Sequence, residues 1–237
     1  MGGGTKEFDI ATTGKKLVIQ ELENMSDPQT GRILTGSWVW DSSVLLSKWI
    51  TNQHQNEFDL QGKTVLELGA GMGIPGMTAA LLGASHVVLT DVKSLITGLR
   101  NNVDINSLGE RVKVGELVWG SEESWSSLVG NIPWLAHKID LVLMSDVFYD
   151  ITSMPELGRT LKWIVKGDET RVWCATEIRP WTSQCLYELM KEGFNVIELT
   201  NSLNSPSLIS SSSLMSDDDP DENQPSFAVF QIVPRII

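Results

Sequence analysis

The sequence predicts an α/β chain: a doubly wound, seven-stranded, mostly parallel sheet with a small N-terminal β appendage. Three observations lead there. The apolar run Val65–Leu68 opens into Gly69-Ala70-Gly71-Met72-Gly73, and Asp91 closes the next apolar run. Apolar runs then alternate with segments of helical spacing, the pattern of parallel strands joined by crossover helices. Two alternating runs near the C-terminal end, Phe194–Leu199 and Phe227–Val233, have no helical pattern between them, so they should pair antiparallel.

In chain order, residues 1–14 read as a disordered tail and 15–237 as a single domain. Leu17–Leu22 is a strand and Asp27–Gly31 a turn marked by proline and glycine, which together make the β appendage. Asp41 is placed to cap a helix from Ser42 to about Asn52, with Trp40 at the loop–helix junction. Val65–Leu68 is the first strand of the main sheet. The helix after it runs through Met77, Ala79, Ala80, Leu81 and Leu82, with Pro75 in its first turn, where a missing N–H costs nothing. His86–Asp91 is the second strand. Leu95, Leu99 and Val103 mark a helix from about Ser94 to Asn106. Val112–Val118 is the third strand, running into Trp119-Gly120, and Ser121–Trp134 is a loop or short helix.

Ile139–Met144 is nearly continuous in apolar residues, as a central parallel strand is, and ends in Ser145-Asp146-Val147-Phe148-Tyr149. Met154, Leu157, Leu161 and Ile164 have helical spacing. Arg171–Glu177 is a fifth strand, followed by a helix from Trp181 to about Glu192 that Gly193 ends. Residues 201–226 are serine-rich and then acidic, a flexible insertion in the final hairpin.

Composition narrows the function. The 237-residue chain carries a formal net charge of -12, which argues against nucleic acid and favours a basic protein segment as partner, although excess acid also serves solubility. No apolar run is long enough for a membrane span, and no signal-peptide core opens the chain. Cys174 and Cys185 form no disulfide framework, so a reducing cytoplasmic or nuclear setting is expected. His54, His86 and His137 are dispersed, so no metal site is expected. A nucleophile elbow and a phosphate-loop lysine are both missing, which leaves hydrolase and nucleoside-triphosphatase chemistry without a handle.

The glycine stretch carries the chemistry. Glycines there let the backbone turn and approach a ligand, and a carboxylate at the end of the second strand can accept bonds from both hydroxyls of a ribose. Two cofactor classes fit. Gly71-Met72-Gly73-Ile74-Pro75-Gly76 matches the dinucleotide pattern, with Asp91 about 20 residues on, as in NAD sites. S-adenosylmethionine, with a sulfonium, an amine and no phosphate, fits the same turn. Glu67 beside it favours that cation over a pyrophosphate. Trp40 and Trp119 are positioned to line an adenine pocket or to pack the core. Asp146 either orients an amine or caps a turn, and Tyr149 offers a hydroxyl or a face for a cation.

These residues resemble a known family. Val39-Trp40-Asp41 with Leu45-Leu46-Ser47-Lys48, Glu67-Leu68-Gly69-Ala70-Gly71 with Asp91, Trp119-Gly120, and Asp146-Val147-Phe148-Tyr149 are similar to the seven-stranded, Rossmann-like S-adenosylmethionine-dependent methyltransferases. Within them, the match is to the protein-lysine methyltransferases of the methyltransferase-like 21 group, methyltransferase family 16. It runs from about Leu17 to the C-terminal end without the insertion. The opening helix most resembles the member acting on the hexameric ATPase valosin-containing protein.

The resemblance implies a sheet order of 3-2-1-4-5-7-6 with the seventh strand antiparallel, and S-adenosyl-L-methionine as cofactor. Trp40, Glu67, Gly69, Ala70, Gly71, Asp91, Trp119 and Ser145 then hold the cofactor, and Asp146 and Tyr149 face a lysine amine. A monomer acting on an ATPase or chaperone is expected. The rivals are a methyltransferase for a small molecule or another side chain, an NAD-dependent oxidoreductase, and a binding module that works through the acidic insertion.

Overall fold

The computed structural model describes residues 4–10, 13–23, 25–27, 31, 33–166, 169–199 and 225–235. β1 (Thr5–Ile10) and β2 (Lys15–Gln20) pair antiparallel as a separate two-stranded hairpin. The main sheet contains β3 (Thr64–Leu68), β4 (His86–Asp91), β5 (Val112–Glu116), β6 (Leu141–Ser145), β7 (Arg171–Glu177), β8 (Phe194–Glu198) and β9 (Phe227–Pro234). Its order is β5-β4-β3-β6-β7-β9-β8, which is 3-2-1-4-5-7-6 when its strands are counted along the chain. β3 to β7 run parallel, and β9 runs antiparallel to both β7 and β8, as the bare hairpin pattern requires.

The parallel strands alternate between two apolar layers, because successive side chains leave a strand on opposite faces. Val65, Leu141 and Leu143 pack with α1 (Asp41–Asn56), α2 (Ile74–Leu81) and α3 (Lys93–Ile105). Leu66, Leu68, Val142 and Met144 pack with α4 (Glu122–Asn131), α5 (Met154–Ile164) and α6 (Thr182–Lys191). Met154, Leu157, Leu161 and Ile164, picked out by spacing, are all buried.

Several boundaries differ from the sequence reading. Thr5–Ile10 is strand β1, not disordered tail. Its alternation is masked by charged partners, but Ile10 is buried, Phe8 packs on the core, and Lys16 pairs with Glu7 at 3.1 Å. Asp41 is the first residue of α1 and Trp40 its cap; an acid in the first helical turn is favourable through the helix dipole. β5 stops at Glu116, which leaves Leu117 and Val118 in the loop beyond the sheet edge. Ser121 caps α4 by accepting from the Ser124 N–H. The serine-rich insertion lies outside the described residues up to residue 224.

The appendage is joined to the core by two asparagines, Asn102 on α3 and Asn106 capping its C-terminal end. The buried Asn102 accepts from Gln20 N–H at 2.9 Å and donates to Gln20 C=O at 3.3 Å and to Met72 C=O at 3.4 Å. One turn later, Asn106 accepts from Val18 N–H and donates to Val18 C=O, each at 2.8 Å. The two amides therefore act as a surrogate strand for β2, satisfying backbone groups that would otherwise be left without partners. Asn102→Ala should lower unfolding free energy by about 1–3 kcal/mol, the cost of orphaned buried polar groups, read by urea denaturation. Amide exchange in Val18–Gln20 should quicken with it.

Candidate active site

The carboxyl ends of β3, β4, β6 and β7 open onto one cavity of about 830 Å³, within the range of small-molecule sites. Trp40, Gly69, Ala70, Gly71, Asp91, Trp119, Ser145, Asp146 and Tyr149 all line it. Because neighbouring strands are about 4.8 Å apart, the strand order lays these residues out in sequence. Asp91 stands on one side of the glycine turn, Ser145 and Asp146 on the other, and Glu177 and Arg179 beyond them.

The turn is held from both sides by carboxylates. Gly71 N–H donates to Asp91 Oδ2 at 2.8 Å, and Val92 N–H donates to Oδ1 at 2.7 Å. Burial pushes the Asp91 carboxyl above its ordinary range, and these two donors oppose the shift. Gly69 and Gly71 have φ of +62° and +53°. A Cβ at Gly69 would come within 3.1 Å of the Trp119 ring, and one at Gly71 within 3.0 Å of the Gly36 carbonyl. Trp119 therefore lies over the turn, and only glycine allows the loop 33–40 to sit against it.

Glu67 is not where the sequence reading puts it. It does not line the cavity but is fully buried on the α2 side of β3, accepting from Gly76 N–H at 2.9 Å. Its other oxygen, Oε1, has no hydrogen-bond partner among the described residues. Burial raises its pKa to about 8, so it is neutral at pH 7 and exerts no charge on a ligand. The reason is period 2: in β3, residue 67 shares the face of Val65, beneath the helix. The exclusion of pyrophosphate has another source. Gly71 and Gly76 N–H groups, of the kind that hold phosphates at helix N-termini, are already bound by Asp91 and Glu67. The turn suits a ligand without phosphate that offers hydroxyl donors to Asp91, which is what S-adenosylmethionine presents.

The far end also differs. Asp146 has a left-handed backbone, φ +55°, which an aspartate tolerates better than most residues. Its carboxylate is held by Arg179, with Nη1 to Oδ1 at 2.8 Å and Nη2 to Oδ2 at 3.0 Å. Its charge is therefore already matched within the protein, whereas the sequence reading has it orienting an amine or capping a turn. Trp40 caps α1 and lines the cavity, its Nε1 donating to the Thr35 carbonyl at 2.9 Å. Tyr149 is 57% exposed at the mouth, beside Trp181 at 39% and Trp38 at 41%.

Sequence reasoning missed Glu177, Arg179, Trp181 and the wall from Leu34 to Trp38. Glu177 and Arg179 carry the same signal as Asp146, a charged residue at a strand's carboxyl end. The wall has none, because it is placed by long-range bonds: Leu22 N–H to Ser37 C=O at 3.0 Å and Val39 N–H to Glu21 Oε1 at 2.7 Å.

Glu67→Gln tests the buried acid. With a folded pKa of about 8 against an ordinary 4.5, the folded state holds a proton that the unfolded state releases as pH rises. Glu67 thus costs nothing below the unfolded value and progressively destabilises the fold up to about pH 8. The variant's advantage in urea denaturation should grow from pH 5 to pH 8, reaching about 4 kcal/mol. An advantage that does not change with pH would show that Glu67 is ionised in the fold.

Comparison with known proteins agrees with this geometry. A protein N-lysine methyltransferase METTL21A from Danio rerio is 33% identical over 171 residues, covering 71% of this chain and 72% of that protein. The protein N-terminal and lysine N-methyltransferase EFM7 from Cryptococcus neoformans is 34% identical over 143 residues, 58% of this chain. The chain spans 46% of that relative's length. Among solved structures, the T. thermophilus 16S rRNA N2 G1207 methyltransferase RsmC, in complex with AdoMet and guanosine, has a TM-score of 0.58 at 14% identity. The match covers 98% of this chain and 50% of RsmC, a likeness of fold alone. The profile of the family described as lysine methyltransferase matches residues 20–193, and the chain belongs to that family.

Proposed function

We propose that this chain transfers a methyl group from S-adenosyl-L-methionine to the side-chain amine of a lysine in a partner protein. The observation that carries the reading is the glycine turn whose Gly71 N–H is taken by Asp91, followed by a helix whose Gly76 N–H is taken by Glu67, set beside the acid-bearing ends of β6 and β7. When bound, the cofactor supplies an electrophilic methyl on a positively charged sulfur. The residues of the chain do the rest. Asp91 accepts from the ribose hydroxyls, and Trp119, Leu117 and Val118 give a flat apolar wall for the adenine. Ser145 and the Gly69–Gly71 backbone frame the methionine arm. Tyr149, Trp181 and Trp38 at the mouth suit a lysine stem, which is apolar along its length and cationic at its tip. Alignment of amine, carbon and sulfur, with water kept out, accounts for the rate without a covalent enzyme intermediate.

The acidic charge of the whole chain, -12, supports a basic target segment. The likeness of the Ser47-Lys48 helix to the member acting on an ATPase supports an ATPase or chaperone as the target, in the cytoplasm or nucleus. Incubating a cell lysate with the protein and tritiated cofactor, then identifying the labelled residue, tests the whole reading. Label on lysine is expected; label on a small molecule only would overturn it.

Two titrations test the pocket. S-adenosylhomocysteine should bind and NADH should not; the reverse would restore the oxidoreductase alternative. Asp91→Ala should weaken S-adenosylhomocysteine by more than about tenfold, since it removes the ribose acceptor and the partner of Gly71 N–H together.

A further inference from the structure

At the β7 end of the cavity the Arg179 guanidinium lies among three partners, Asp146, Glu177 and the Trp40 ring. Its two-pronged bond to Asp146 is joined by Nη2 to Glu177 Oε2 at 2.6 Å. Its Cζ is 5.5 Å from the centre of the Trp40 ring, within cation–π range. The side chains of Arg179 and Asp146 are 15% and 7% exposed, while that of Glu177 is 32% exposed. Ser42 Oγ at 3.4 Å and Thr176 Oγ1 at 3.3 Å also point their donors at Asp146 Oδ1. Both Asp146 oxygens therefore accept from the protein, with three donors on Oδ1 and one on Oδ2. Glu177 differs: no hydrogen bond to its Oε1 is found among the described residues, and it faces the cavity.

We propose that Arg179 is a positioning residue that offsets one of the two carboxylate charges of Asp146 and Glu177, so that an incoming lysine meets a single net negative charge, with its open oxygen on Glu177, rather than two bare carboxylates. The proposal rests on the methyltransferase reading above and assigns charge within that site. The cluster holds two carboxylates and one guanidinium, a net charge of -1 by count. A net negative charge draws in the ammonium. A second bare carboxylate would raise the amine's pKa and keep the proton on it. The reaction needs the neutral amine: its proton leaves to solvent at the mouth, its lone pair forms the N–C bond, and the C–S pair returns to sulfur. Arg179 tips the balance toward that neutral amine.

The other ionisable groups at this end are matched or set apart. Glu156 pairs with Arg159 at 2.8 Å, and Asp150 accepts from Thr152 and Ser153. Asp91 is bound to the turn, Cys174 is buried with its thiol pushed up, and Asp41 and Lys48 of α1 are exposed. Tyr149 at the mouth and Asp27 on the opposite wall complete the set. Burial alone would lower the Arg179 pKa, but Asp146 and Glu177 outweigh it and raise it, so the offset persists at any working pH.

The test uses two cofactor analogues on the full chain at pH 7.5. S-adenosylhomocysteine is uncharged where the methyl would be; sinefungin carries an ammonium there. Arg179→Gln should raise the preference for sinefungin by about tenfold, the effect of about one pKa unit at a neighbouring amine. Arg179→Lys keeps the charge and should leave the preference within about twofold of the parent. In the lysate assay, the acid limb of the rate should move to higher pH in Arg179→Gln and stay in place in Arg179→Lys. An Arg179→Gln protein that binds S-adenosylhomocysteine normally yet keeps the parental preference overturns the proposal. Should that variant fail to fold, Asp146→Asn decides: the preference for sinefungin should fall, and an unchanged ratio overturns the proposal. If the parent binds neither analogue, the methyltransferase reading itself fails, and this one with it.

Discussion

The hydrogen bond from Gly71 N–H to the Asp91 carboxylate is the constraint on which the rest of the site depends. It ties the turn after β3 to the end of β4, one strand away, and so converts a flexible glycine run into a fixed rim. Two features follow. The Gly71 N–H is no longer available to an anion, and the Asp91 oxygens face the cavity at a defined height. A parallel sheet makes this possible, because all its strands end at the same edge and their loops share one crevice.

The wall of residues 34–38 that sits against the rim is held by the N-terminal hairpin and the residues just after it. Lys6 on β1 reaches Glu21 at 2.9 Å, and Glu21 in turn accepts from Val39 N–H at 2.7 Å. Asn102 links the same hairpin to Met72, within the glycine turn. The appendage is thus a brace between the cofactor rim and the approach to Trp40. Its surface ion pairs contribute little by themselves; the buried asparagine contacts carry the coupling.

Charge is distributed unevenly along the sheet edge. Glu67 is hidden and neutral, Asp91 is hydrogen-bonded, and Asp146 is matched by Arg179. Of these four acids, Glu177, partly shared with Arg179, is the one that lines the cavity with an oxygen for which no hydrogen bond is found among the described residues. Under the proposed function, this arrangement attracts a cation without gripping it, which is what a reaction that must strip a proton from its substrate needs.

Local sequence determined the strand–turn–helix unit, the bare terminal hairpin and the apolar runs that became β3 to β7. Periodicity and glycine conformational freedom act over a few residues, so these features are written locally. The strand order agrees with what family resemblance implied; topology of this kind is not readable from periodicity. Tertiary structure decided the rest. Glu67 and Asp91 are both acids near the carboxyl ends of neighbouring strands and share one face of the sheet, yet Glu67 pairs with Leu89, two residues short of Asp91, and so lies under α2, while Asp91 stands at the open edge and lines the cavity. β1 exists only because β2 is there to pair with it. Asp146 meets Arg179, 33 residues away, only after β6 and β7 are laid side by side, and that encounter sets the charge the site presents.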